Sequence, residues 1–169
     1  MDESLKRMLL DWMRKIHQLE YAHCYQSIFW STFEKWIGIS AFIISTIVAF
    51  SYRFPKLEIP WVQDYLLPST LLIVAILTGL QTFLKPSEKA ENHKRIGFNY
   101  EKMRHSIELI LNTHMTDQKR TREIEIIKNE WADLKSVYVS NRKFKKGKKT
   151  VKDLKKYPEE LSFLETVEV

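Results

Sequence analysis

Two long runs without a charged residue dominate this 169-residue sequence. The first run extends from Trp36 to Tyr52 and the second from Tyr65 to Leu84, which gives lengths of 17 and 20 residues. Helices of these lengths span roughly 25 and 30 Å, close to the thickness of the hydrocarbon core of a bilayer. The mean hydropathy of the chain is −0.31, as in a soluble protein, but this average conceals the two runs in which most of the apolar residues are concentrated. We therefore predict two transmembrane helices that form a hairpin, in preference to a buried hairpin in a soluble bundle.

Charges beside the two runs predict the orientation of the hairpin. The connection 53–64 contains two basic and two acidic residues, whereas the segment after Leu84 contains 20 Lys/Arg and 14 Asp/Glu. Lys and Arg are enriched on the cytoplasmic side of membrane proteins. We therefore expect both termini in the cytoplasm, with the first run acting as a signal-anchor. The one cysteine, Cys24, lies on that side, so no intramolecular disulfide can form.

Apolar residues at steps of three and four predict that both helices continue into the cytoplasm. Antiparallel pairing of these two extensions would bring together Trp30 and Ala90, His23 and Gly97, and Ile16 and Arg104 or Ile107. A polar layer of His23, Gln26 and His93 interrupts the seam, and such a layer usually fixes the register of paired helices. We interpret these histidines as structural, with a pH or ligand sensor as the alternative. A third cytoplasmic helix is predicted at about Thr116–Asn141. The fold class is thus an all-α membrane protein, a two-transmembrane helical hairpin with antiparallel cytoplasmic helical extensions and a third cytoplasmic helix.

Pro86 and Ser87 are the predicted hinge between the second transmembrane helix and its cytoplasmic extension. Proline removes a backbone donor and favours a kink. Ser87 is expected to restart the helix as its N-cap. A signal that changes the packing of the cytoplasmic helices could then move the membrane helices.

Small and weakly polar residues recur inside the predicted spans, and neither span carries a central charge. Such residues let helices pack closely in lipid, within one hairpin or between protomers. The predicted helix-packing residues are Ala41, Ser45, Ala49, Ala75, Gly79 and, in the cytoplasmic seam, Gly97. Two helices cannot enclose an aqueous path, but an oligomer of hairpins could. The residues that could then face the pore are Ser40, Thr46, Thr78 and Thr82.

Residues 142–169 are interpreted as a basic tail followed by a short C-terminal segment, and residues 1–141 as a single domain. The stretch from Arg142 to Lys156 contains nine Lys/Arg and one Asp. It is expected to contact anionic lipid or remain solvated, with nucleic acid as the alternative ligand. The expected contact residues are Lys143, Lys145, Lys146, Lys148 and Lys149. The final segment, Pro158–Val169, could be a short docking element.

Motifs for catalysis are absent from the sequence. It contains no phosphate-binding loop, nucleophile elbow, HExxH pair or dinucleotide fingerprint. His17 and His23 are six residues apart, which places them on different faces of a helix. We therefore expect neither an enzyme nor a bound metal or cofactor.

A two-span hairpin followed by FLKPSEKAENHKRIGFNYEKMR resembles the SLATT family of bacterial membrane effectors. The matching residues are PSEKA at 86–90, including Glu88, and then His93, Gly97, Tyr100 and Arg104. The resemblance covers about Ile16–Leu111, and the basic tail has no counterpart in the family pattern. It implies an oligomer in the bacterial inner membrane that acts in antiviral defence against phage. A separate sensor, such as a cyclic-nucleotide synthase or a reverse transcriptase, would trigger it through a nucleotide or nucleic acid. The implied output is a pore that permeabilises the membrane and leads to abortive infection.

A membrane-anchored scaffold is the alternative to a pore-forming effector. In that interpretation the hairpin is only an anchor, and the cytoplasmic helices and the basic tail recruit a partner protein or nucleic acid. Replacement of the hairpin by an unrelated two-span anchor would separate the two functions.

Overall fold

The computed structural model describes residues 2–53, 61–134, 137–158 and 161. Within these ranges the chain is almost entirely helical and contains no strand, which confirms the all-α prediction. The helices in chain order are α1 (Glu3–Arg53), α2 (Leu67–Leu84), α3 (Pro86–Asn112), α4 (Asp117–Asp133) and α5 (Asn141–Asp153). A π-helical turn, Val62–Leu66, leads into α2. Most of the connection 53–64 and most of the C-terminal docking element lie outside the described residues.

The chain divides into two compact units. Unit 1 combines Met1–Ser27 with Glu91–Val169, and unit 2 consists of Ile28–Ala90. The helices α1 and α3 contribute residues to both units. Because unit 1 includes the basic segment, the division that the sequence suggested at residue 141 does not coincide with a boundary between units.

The core of unit 1 forms where the apolar stripes of α1 and α3 meet. Ile16 and Ile107 are fully buried in one cluster, as the predicted pairing of the two extensions requires. Met103 belongs to the same cluster, and Ile127 of α4 completes it. The buried residues of the cluster are Leu9, Met13, Ile16, Ile96, Tyr100, Met103, Ile107, Ile110 and Ile127. Full burial of each aliphatic side chain contributes about 1.5–3 kcal/mol, so this cluster is the main stabilising feature of unit 1.

The helix α4, predicted as a third cytoplasmic helix, begins where the sequence predicts but ends earlier. Thr116 is its N-cap, and its hydroxyl accepts a hydrogen bond from the backbone N–H of Lys119 at 3.4 Å. The helix ends at Asp133, because Leu134 adopts a non-helical ψ of 88°. The predicted continuation to Asn141 is therefore wrong, since that residue begins the separate helix α5.

The break between α2 and α3 is built differently from the predicted one. Lys85 adopts the left-handed conformation (φ 45°, ψ 56°) and ends α2. Pro86 is then the first residue of α3, a position where its missing N–H is not needed. The carbonyl oxygen of Lys85 accepts a hydrogen bond from the N–H of Lys89 at 3.1 Å. Ser87 is consequently inside the first turn and is not the N-cap, which corrects the prediction.

Unit 2 contains long apolar helices that leave most of their surface exposed. The segments Glu3–Ser51 and Asp64–Asn112 each include an 18-residue stretch apolar and long enough to cross a membrane. Only 11% and 6% of the residues in these stretches are buried. The buried apolar residues of unit 2 include Ile37, Val48 and Leu67. The helices therefore bury little apolar surface against the rest of the chain.

Candidate functional site: the polar layer and the basic helix of unit 1

The predicted polar layer contains a direct contact between two buried histidines. Nδ1 of His23 in α1 lies 3.1 Å from Nδ1 of His93 in α3, and the side chains are 2% and 4% exposed. The ring of Tyr100 lies beside His23, with 5.5 Å between the ring centroids. Burial lowers the pKa of His93, and burial followed by the neighbouring His93 lowers the pKa of His23 to about 4. Both rings are therefore neutral near pH 7, and one Nδ1–H donates to the other Nδ1.

Gln26 joins the same layer but has a different partner. Its Oε1 accepts a hydrogen bond from the hydroxyl of Ser140 at 3.0 Å. Ser140 is the N-cap of α5, so this bond ties the beginning of the basic helix to α1. The sequence grouped Gln26 with the histidines by its spacing along α1, but the spacing did not indicate this partner.

Arg104, one of the residues that carries the family resemblance, forms an ion pair inside unit 1. Its Nε donates to Oε2 of Glu20 at 2.9 Å, and the two side chains are 10% and 14% exposed. Its Nη1 also lies 3.4 Å from Glu108. Two charges so well removed from water are tolerated only as a pair. This pair therefore favours one alignment of α1 with α3.

The basic helix α5 packs directly on α1. Gly147 is buried, and a Cβ atom added there would lie 2.7 Å from the carbonyl oxygen of Gln18 and 2.9 Å from the backbone nitrogen of Ala22. The two helix backbones thus approach so closely that only glycine fits. Beside this crossing, the hydroxyls of Tyr25 and Thr150 are 3.0 Å apart. The ammonium group of Lys146 lies 4.2 Å from the centre of the Tyr25 ring.

The chain after α5 continues along α1 towards its beginning. The hydroxyl of Tyr157 lies 2.8 Å from Nδ1 of His17, and Nη1 of Arg14 donates to the carbonyl oxygen of Leu161 at 2.9 Å. Burial, then the positive charges of Arg104 and Lys156, lowers the pKa of His17 to about 4. Burial is also the largest cause of the raised pKa of Tyr157. The contacts after α5 thus follow α1 backwards from His17 to Arg14, whereas within α5 both Lys146 and Thr150 contact Tyr25.

The lysines that the sequence predicted as lipid or nucleic-acid contacts all belong to α5. Lys145, Lys148 and Lys149 are exposed, Lys143 is half-buried, and Lys146 is exposed and contacts Tyr25. The segment is therefore an ordered helix and not the separate tail that the sequence suggested.

The small residues predicted to pack the spans are mostly exposed. Ala41 and Gly79 are half-buried, whereas Ser45, Ala49 and Ala75 are exposed, and a Cβ atom added at Gly79 would meet nothing within 4 Å. By contrast, Gly97 is buried, and a Cβ atom there would lie 3.5 Å from Sγ of Cys24 and 3.7 Å from Cβ of His23. Gly97 therefore packs on α1 as predicted, but an alanine would also fit there.

The hydroxyls predicted to face a pore bond to their own helices in this structure. The Oγ1 atoms of Thr46, Thr78 and Thr82 donate to carbonyl oxygens four residues earlier, at 2.8, 2.8 and 3.0 Å. Ser40 is half-buried. These bonds use the hydroxyl hydrogens without a neighbouring chain, and both lone pairs of each oxygen stay available to accept further hydrogen bonds.

The remaining predicted residues lie near the break between α2 and α3. Glu88 forms an exposed ion pair with Lys85, in which Oε1 of Glu88 lies 2.9 Å from Nζ of Lys85. Near Ala90, the ammonium group of Lys89 lies 4.6 Å from the centre of the Trp30 ring, which agrees with the predicted pairing of Trp30 with this segment.

Among the described residues, no group of three His, Cys, Asp or Glu side chains is arranged to hold a metal ion. The buried histidines contact another histidine or a tyrosine, and their hydrogen bonds fix how the helices pack. No family model, curated protein or solved structure matches this chain.

Proposed function

We propose that this chain is a membrane effector of a bacterial antiphage system. In this proposal the hairpin crosses the inner membrane with both termini in the cytoplasm. Several chains assemble, and they permeabilise the membrane when a separate sensor protein, or the nucleotide or nucleic acid that the sensor produces, triggers them. The resemblance to the SLATT family at residues 86–104 supports the defence role.

The observation that carries the membrane part of the proposal is the exposed apolar surface of unit 2. Phe42 and Phe83 are 72% and 88% exposed, and Trp36, Ile47 and Leu72 are at least 60% exposed. Soluble monomers rarely expose contiguous apolar patches of more than a few hundred Å². A core helix of a soluble protein would be mostly buried, whereas only 11% and 6% of these stretches are. Lipid is the solvent that makes such helices stable.

The exposed small residues support assembly of several hairpins. Ser45, Ala49 and Ala75 are exposed, although small residues at four-residue spacing typically mark helix–helix contacts in lipid. Packing within one hairpin therefore leaves these positions unused, and contacts between protomers would use them. The hydroxyls of Thr46, Thr78 and Thr82 could then line a path between protomers.

The scaffold remains the second candidate, and the ordered basic helix favours it. A docked helix with seven Lys/Arg and one Asp is a preformed surface for an anionic partner. In that function the membrane helices would only anchor unit 1. The two candidates differ in whether the sequence of the hairpin matters.

Controlled expression in bacteria, with the neighbouring genes co-expressed and phage added, tests the proposal. Membrane potential and entry of a small dye are compared between the native chain and one in which residues 36–52 and 65–84 are replaced by an unrelated two-span anchor. The effector predicts depolarisation with the native hairpin only. Equal protection by both chains would support the scaffold and contradict the pore.

A matched pair of substitutions tests the contact between protomers. Ala75→Leu adds bulk at an exposed small residue, whereas Ile76→Leu changes only the shape of its exposed neighbour. We expect Ala75→Leu to reduce crosslinked oligomers and dye entry at least tenfold, and Ile76→Leu to leave both unchanged. Equal behaviour of the two variants would exclude this face as the contact.

A further inference from the structure

The side of α5 that points away from α1 is strongly basic, and Asp153 at its edge is the one acidic residue of this helix. With about 100° of rotation per residue, four residues of α5 lie within about 40° of the direction opposite to Gly147. They are Arg142, Lys145, Lys149 and Lys152, and all four are exposed. Within the described part of the chain, none of them forms a salt bridge. They occupy about 15 Å along the helix axis.

The opposite side of α5 is already occupied. Gly147 and Val151 are buried, Thr150 contacts Tyr25, and Ser140 bonds to Gln26. An amphipathic helix that binds a membrane by insertion needs a free apolar face. The docked α5 has no free apolar face on its outward side, so a ligand on this side is held by charge alone.

We propose that the outward side of α5 is a docking surface for anionic phospholipid headgroups of the membrane that the hairpin crosses. This inference rests on the proposed membrane insertion of the same chain. Covalent linkage to the spans keeps α5 at a high effective concentration near that membrane. Juxtamembrane clusters of four to eight Lys/Arg are typical of contacts with anionic lipid.

The chemistry of the four residues favours lipid over nucleic acid. Three of the four are lysines, which act as point charges and do not form the two-pronged contacts of arginine with phosphate. The outward positions include no aromatic residue, although binding of single-stranded nucleic acid relies on aromatic side chains that stack on bases. An ordered row of lysines is sufficient for headgroups, which present negative charge without bases.

Chemical labelling of lysines in the full-length chain tests this surface. The purified chain is reconstituted in nanodiscs of phosphatidylcholine alone or with 40% phosphatidylglycerol, labelled briefly with an acetylating reagent, and analysed by mass spectrometry. Lys119 and Lys128, which are exposed on α4, serve as internal controls. We expect Lys145, Lys149 and Lys152 to react at least fivefold more slowly with phosphatidylglycerol, since each cation contributes roughly a fivefold preference for anionic lipid. At about 1 M salt the Debye length shortens to about 3 Å, and the difference should disappear.

Matched charge reversals show whether the α5 lysines cause the effect. The variant Lys145→Glu/Lys149→Glu/Lys152→Glu is compared with Lys119→Glu/Arg122→Glu/Lys128→Glu, and the exposed Lys156 reports the labelling rate in both. In the native chain the slower labelling with phosphatidylglycerol should extend to Lys156, which lies three residues after the end of α5. The α5 variant should lose this lipid dependence, whereas the α4 variant should keep it. Both carry the same change in net charge.

Four outcomes would overturn the inference. Equal slowing of Lys119 and Lys128 would show a general effect of the anionic disc. Protection of the α5 lysines by a single-stranded oligonucleotide, but not by phosphatidylglycerol, would assign the surface to nucleic acid. A chain retained in the nanodiscs with unchanged labelling would contradict the inference alone, whereas a chain that a carbonate wash releases from vesicles would contradict the proposed membrane insertion as well.

Discussion

Replacement of Gly147 by alanine should loosen α5 from α1. The added Cβ would lie 2.7 and 2.9 Å from backbone atoms of Gln18 and Ala22, and backbone inside a helix cannot move aside as a flexible side chain can. The helix α5 must therefore shift outward, which lengthens the hydrogen bond between Ser140 and Gln26. Overpacking of this kind costs about 1–3 kcal/mol. The higher helix propensity of alanine offsets up to about 1 kcal/mol of this cost. We therefore expect the docked state of α5 to lose about 1–2 kcal/mol of stability.

Hydrogen exchange of the amides in α5 measures this loss locally. A loss of 1–2 kcal/mol corresponds to roughly 5- to 30-fold faster exchange in residues 141–153, with little change in α3. Gly97→Ala is the matched control, because its Cβ would make only ordinary contacts at 3.5 Å and beyond. That variant should exchange at the native rate or more slowly. If Gly147→Ala left the exchange of α5 unchanged or slowed it, the close backbone crossing would be refuted.

Three further predictions concern stability. Arg104→Met should destabilise unit 1 by about 2–4 kcal/mol because Glu20 would lose its buried partner, and adding Glu20→Leu should recover much of this in urea unfolding. His17 and His23 have folded-state pKa values of about 4 against an ordinary value near 6.5, so their stabilising effect is complete above pH 6.5 and is lost as the pH falls towards 4. At pH 5 the loss should be about 1–2 kcal/mol for each ring, and unfolding at pH 7.5 and pH 5 measures it. Lys85→Gly should stabilise the break after α2 by about 0.5–1 kcal/mol because φ is positive there, which thermal unfolding in detergent can detect.

The pairing of α1 with α3 could be predicted because it follows the helical period. Apolar residues at steps of three and four identify the buried side of each helix, and Ile16 and Ile107 meet as expected. The same period placed His23 and His93 in this seam, where they are in contact. A periodic pattern predicts which side of each helix is buried. Because α1 and α3 are the two arms of one hairpin, their buried sides must face each other.

The second packed side of α1 could not be predicted because its residues are polar. Asp11, Arg14, His17 and Gln18 are at most 8% exposed, yet in a sequence they resemble the solvent-facing side of an amphipathic helix. Their burial depends on partners far along the chain, such as Leu161 for Arg14. Hydrogen bonds between residues more than a hundred positions apart leave no period in the sequence.

The docking of α5 has one local signal in the sequence. Gly147 is the single glycine in a run of lysines, and a glycine inside a helix often marks a close approach of two backbones. The charge of the segment suggested a solvated tail instead. Charge alone describes the outward side of this helix, whereas Gly147 and Val151 decide where its other side packs.

Gln26 connects the basic helix to the polar layer. It bonds to Ser140 at the start of α5, and it lies one helical turn beyond His23 on α1. A ligand that stabilises docked α5 therefore also stabilises the segment of α1 that holds the histidine pair. Linkage requires the reverse as well, so disruption of the pair must weaken the docked state of α5 by the same free energy. The basic helix and the buried histidine pair thus both contact the same segment of α1, residues 18–26.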